Sequence, residues 1–144
     1  MNLTLDANVW LAAMSPAERE HEQCAQLLDR IRHASVRLHQ PALFAIEVCA
    51  TVARRTRDRT LALAAGEAAL AIPGLSVYEL DHSLATRAGH VAAMCALRGA
   101  DAVYVATAEH SGSTLLTLDA EVLDRASARI SVMTPAIWGQ EHAQ

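Results

Sequence analysis

The chain has 144 residues, of which 52% are apolar and 19% charged, and its net charge is −4. That composition describes one folded domain able to bury about 70% of its unfolded surface. It excludes a disordered chain and a protein that coats nucleic acid through bulk positive charge.

Only 3% of the residues are aromatic, so the core must rest on Leu, Val, Ile and Ala. All twelve basic residues are Arg. Arginine suits bidentate phosphate contacts, but a bias in genomic base composition gives the same count. Cys24, Cys49 and Cys95 lie far apart in apolar stretches and read as small buried hydrophobes. The odd count and the lack of a signal-like start fit a reducing cytoplasm. No apolar run nears the roughly 20 residues that span a membrane.

Strand-like and helical patterns alternate along the chain, without repeats or linkers. Strand one is Leu3 to Leu5. Glu20 to His33 carries Cys24, Leu27, Leu28 and Ile31 on one stripe, the mark of an amphipathic helix. Strand two is "SVRLHQ". Pro41 then suits the first turn of a helix reaching about Arg55. A further helix over Arg59 to Ala71 stops before Pro73 and Gly74. Strand three is "LSVYEL".

Asp81 caps a helix through Leu97 that Gly99 ends. A short Ala-rich helix covers Asp101 to His110, broken by "SGS". Strand four is Thr114 to Leu118, and a short helix follows Asp119. Strand five is "ISVM", and "TPAIW" begins a last turn. Strands joined through helices imply right-handed crossovers. The expected architecture is a three-layer α/β/α sandwich around a mostly parallel five-stranded sheet, a single domain over 1–144. Chemistry in such sheets gathers at the carboxyl ends of the strands, where strand order reverses.

Four acids fall at that edge. Asp6 ends strand one, and Asp119 ends strand four. With strand order 3-2-1-4-5 these two emerge side by side. Glu47 lies one to two turns into the helix after strand two, between Ile46 and Val48, and Asp101 opens the helix leading to strand four. Each also has an ordinary reading. Asp6, Asp101 and Asp119 are good helix caps, and Glu47 could be an exposed helix acid.

Together they pose an electrostatic problem. Like charges about 4 Å apart repel by roughly 1 kcal/mol in water, and by more near protein. A divalent cation offsets that repulsion. An oxygen-only donor set suits Mg²⁺, with Mn²⁺ as a substitute, and the absence of His and Cys at these positions disfavours Zn²⁺. The implied reaction is phosphodiester hydrolysis. Asn8 and Thr117 are candidates to orient a carboxylate or a metal-bound water, or are a turn former and a strand residue. Arg54 and Arg55, two turns beyond Glu47, are candidates to meet phosphates, although with Arg57 and Arg59 they read more often as a solvated helix end; Glu109, Glu121 and Asp124 read as surface charges.

The stretches "LDANVW", "AIEVCATVARR" and "GADAVYVATAEHSGSTLLTLDAEV" resemble the motifs of PIN-domain nucleases, especially the VapC-type toxins of bacterial toxin–antitoxin pairs. The resemblance covers nearly the whole chain. It sets the family's acids on Asp6, Glu47, Asp101 and Asp119, and its two small polar positions on Asn8 and Thr117. It implies a Mg²⁺-dependent ribonuclease, commonly a homodimer, inhibited by a small antitoxin protein.

Two other functions are compatible with such a fold. One is a non-catalytic binding module. The other is a phosphohydrolase with Asp6 as nucleophile, which would want an acid where Asn8 stands and a phosphate-binding Lys that the chain lacks.

Overall fold

The computed structural model describes residues 1–143. Five strands form one all-parallel sheet in the order β3-β2-β1-β4-β5. They are β1 (Asn2–Leu5), β2 (Arg37–Pro41), β3 (Leu75–Tyr78), β4 (Thr114–Leu116) and β5 (Val132–Met133). The helices are α1 (Ala7–Met14), α2 (His21–His33), α3 (Leu43–Thr56), α4 (Arg59–Leu70), α5 (His82–Cys95), α6 (Gly99–Ser111), α7 (Ala120–Ala126) and α8 (Pro135–Glu141).

Leu3 and Leu5 leave β1 on one side and Thr4 on the other, and all three are fully buried. Both faces of the central strand are therefore covered, as the three-layer reading requires. The chain winds from β1 to β2 and β3 on one side, then returns to place β4 on the other. Strand order thus reverses between β1 and β4.

Three local expectations need correction. Periodicity gave no sign of α1, because six of its eight residues are buried and it has no polar face to set against an apolar one. Pro41 closes β2 opposite Tyr78 rather than opening α3. A strand end tolerates its missing N–H, and the ladder continues from Ala42 N to Tyr78 O at 2.8 Å. Gly99 does not end α5. That helix stops at Cys95, Ala96 takes the left-handed conformation at φ 52°, and Gly99 begins α6.

Of the cysteines only Cys24 is fully buried, and burial pushes its thiol up to about 11. Cys49 and Cys95 are half-buried, and all three are free. Glu109 is not a loose surface charge either. Arg87 bonds it at 2.9 Å, Arg129 bonds it as well, and these contacts hold its carboxyl below the usual range, Arg129 most of all. Among the described residues no single helix is long and apolar enough to cross a membrane.

Candidate active site

Parallel pairing of β1 with β4 sets Leu5 opposite Leu116, so the next residues, Asp6 and Thr117, meet beyond the last ladder pair. Asp6 N–H donates to Leu116 O at 2.9 Å. The Thr117 hydroxyl donates to Asp6 Oδ2 at 2.8 Å and accepts from Asp119 N–H at 3.1 Å. Asn8 Nδ2 reaches Asp6 Oδ2 at 3.2 Å, and Asn8 Oδ1 accepts from Leu118 N–H at 3.2 Å. Asn8 thereby ties the start of α1 to the chain leaving β4, and both small polar residues orient Asp6.

Asp6 also caps α1, its carboxylate accepting from Asn8 N–H at 3.4 Å. The cap reading therefore holds for this residue, and capping leaves its carboxylate at the cleft. Asp119 behaves alike: Oδ1 caps α7 through Glu121 N–H at 2.8 Å and Val122 N–H at 3.3 Å. Asp101 sits in the first turn of α6 and makes no capping bond there. Glu47 projects from α3 three residues beyond Phe44, which is fully buried and meets Trp10 of α1 edge-on at 6.0 Å between ring centres. That aromatic contact fixes α3 against α1 and aims Glu47 toward Asp6.

Asp6, Glu47, Asp101 and Asp119 all line one cleft of about 430 Å³. The site thus draws on four separate stretches of chain at one edge of the sheet. Among the described residues, no three His, Cys, Asp or Glu side chains stand close enough to hold one ion as they are placed. The acids share a cleft without forming a finished coordination cage.

Their ionisation reports the cost of the arrangement. Burial pushes Asp6 up to about 6; the Thr117 and Asn8 bonds oppose this, while Asp101 and Glu47 add to it. Burial raises Glu47 too, as does Asp101. Asp101 is raised by burial and then by Asp119, against the pull of Arg98. Glu47 Oε1 is buried without any hydrogen-bond partner. The buried Tyr104 hydroxyl lies beside Glu47, but it too lacks a partner within hydrogen-bond distance. An orphaned carboxylate oxygen among mutually repelling acids is what a divalent cation satisfies, and the donors are all oxygen, so the residues fit such an ion.

Sequence reasoning missed Glu18 and Arg98, both of which line this cleft. Glu18, from the loop before α2, lines it and pairs with Arg55 at 3.2 Å. Arg54 and Arg55 both face the cleft, whereas Arg57 and Arg59 face a groove between α3 and α4. Arg98, the residue before α6, contacts two of the acids: Nε lies 3.4 Å from Asp101 Oδ2 and Nη2 lies 3.5 Å from Asp119 Oδ2. Its place three residues before Asp101 was the available signal.

A sequence profile of the PIN domain matches residues 3–128. The chain belongs to the PIN domain family. No curated protein sequence matches it significantly. Solved structures of the same fold include FitAB bound to an IR36 DNA fragment, at 20% identity over 99% of both chains with a TM-score of 0.73. PAE2754 from Pyrobaculum aerophilum is 22% identical over 100% of this PIN domain and 91% of its own chain, with a TM-score of 0.71. VapC20 from Mycobacterium tuberculosis, a sarcin–ricin loop cleaving toxin, is 17% identical over 89% and 95% of the two chains, also at 0.71.

Proposed function

We propose that this PIN domain is a Mg²⁺-dependent endoribonuclease, Mn²⁺ substituting, and the toxin of a cytoplasmic toxin–antitoxin pair. The observation that carries the reading is the convergence of Asp6, Glu47, Asp101 and Asp119 on one cleft at the switch point of the sheet. Several structures of the same fold are complexes of the VapBC and FitAB type, some bound to DNA, and one is a sarcin–ricin loop cleaving toxin. They supply the partner class, a cognate antitoxin, and favour RNA as the substrate.

In this reading Asp6, Glu47, Asp101 and Asp119 hold the cation, and a cation there supplies an activated water and offsets charge growing on the phosphate. The chain's own groups do the rest. Thr117 and Asn8 lock the rotamer of Asp6. The surrounding burial keeps bulk water from screening the acids. Arg54 and Arg55 stand at the cleft where phosphates of a bound strand would pass. Exposed Ile46 and Leu63 on the α3 and α4 surface leave an apolar face suited to an antitoxin or to a second copy in a homodimer.

The test is digestion of total RNA with Mg²⁺, and again with a chelator, read at nucleotide resolution. We expect discrete cuts that vanish with the chelator, with Asp6→Asn, and on co-expression with the product of a neighbouring small reading frame. Undiminished cleavage by pure, folded Asp6→Asn protein removes the site from consideration.

A further inference from the structure

We propose that Arg98 is an internal counterion, standing in the cation's place between Asp101 and Asp119, that moves to an RNA phosphate when the cation binds. The proposal rests on the nuclease reading above.

Its guanidinium bridges two acids that come from different segments, the first turn of α6 and the cap of α7. Among the described residues this is the one arginine paired with any of the four acids. Both contacts are long, at 3.4 and 3.5 Å, and neither is a bidentate fork. The side chain is 75% exposed, while the two carboxylates are 18% and 24% exposed. A cation buried on one side by acids and open to solvent on the other can leave without disturbing the fold.

Arg98 caps α6 through its backbone alone, with no side-chain capping bond. Its side chain is therefore not needed to start the helix. A divalent cation drawn to Asp101 and Asp119 meets a fixed positive charge there and must displace it. Once displaced, the guanidinium remains on the rim of the same cleft as Arg54 and Arg55, three donors facing wherever a phosphate backbone lies.

Arg98→Gln separates this role from a structural one because it predicts effects of opposite sign. Calorimetry with Mn²⁺ alone should show binding tightened by about two- to fivefold, the scale of an exposed ion pair removed. Binding of a short fluorescent single-stranded RNA, with Ca²⁺ present to prevent cleavage, should weaken by a similar factor, and Arg98→Lys should restore most of it. Arg98→Ala must give the same two signs.

Unchanged or weaker Mn²⁺ binding in both variants overturns the counterion role and leaves the nuclease reading intact. Tighter Mn²⁺ binding with unchanged RNA affinity overturns the transfer to phosphate. If neither the wild type nor the variants bind Mn²⁺, the nuclease reading fails and this proposal fails with it.

Discussion

Thr117 donates its hydroxyl to Asp6 across 111 positions of sequence, at 2.8 Å, and the same oxygen accepts the N–H of Asp119 at 3.1 Å. One fully buried hydroxyl therefore sets the spacing between the acid that ends β1 and the acid that opens α7. The bond follows from register, since Leu5 pairs with Leu116 immediately before it.

Thr117→Val keeps the shape and removes the hydroxyl. It should cost about 1–3 kcal/mol of stability, because Asp119 N–H loses its acceptor and Asp6 its best donor. Mn²⁺ affinity should fall by about tenfold or more, as loss of an orienting group does at metal sites. Thr117→Ser should recover both. Thermal melts and calorimetry on the three proteins check this, and a wild-type Mn²⁺ affinity in Thr117→Val would show that the hydroxyl does not position Asp6.

The pH dependence of the metal-free protein follows from Asp6. Its carboxyl is held at about 6 against an ordinary 3.8, so the folded protein binds this proton more tightly than the unfolded chain. For an acid shifted upward, stability is greatest below the ordinary value and declines as pH rises from about 4 to about 6. Above that range the penalty is on the order of 3 kcal/mol. Asp6→Asn should therefore stabilise the metal-free protein at pH 7, and its advantage should shrink by roughly half at pH 5. Denaturant melts of both proteins at the two pH values, with chelator present, measure the difference. An advantage that grows on acidification would contradict the shift.

Glu47 combines a buried, unpartnered Oε1 with a carboxyl raised by burial and by Asp101. Glu47→Gln should leave the chelated protein at least as stable as wild type while abolishing Mn²⁺ binding by calorimetry. Tyr104→Phe is the companion test. The hydroxyl it removes is buried and makes no hydrogen bond, so stability should change by less than about 1 kcal/mol.

The α3–α4 contact is set by a glycine. A Cβ at Gly66 would lie 2.2 Å from Cys49 Sγ but 3.6 Å from the nearest backbone atom, Ala45 O. Gly66→Ala should destabilise by about 1–3 kcal/mol through overpacking. Cys49→Ala, by removing the sulfur, should rescue it, so that the double variant is more stable than Gly66→Ala alone. Additive losses in the double variant would mean that Gly66 is needed for some reason other than close approach.

The sequence alone carried the strand order and every helix but α1, the reversal between strands one and four, and the four acids at one sheet edge. These features are local or topological. Helix α2 shows its buried stripe of Cys24, Leu27, Leu28 and Ile31 as a period, and parallel crossovers leave few strand orders to choose from. Where the local signal failed, the cause was physical. The uniformly buried α1 has no amphipathic period, and Ala96 rather than a glycine takes the left-handed turn after α5.

Only the tertiary structure decided that Thr117 bonds Asp6, that Glu18 from a polar loop reaches the cleft, that Glu47 Oε1 is left without a partner, and that Arg98 spans Asp101 and Asp119. Each of these depends on side chains from distant segments meeting within a few ångströms. Hydrophobic pattern and capping residues fix which elements form; strand register and loop path fix which polar atoms then face one another.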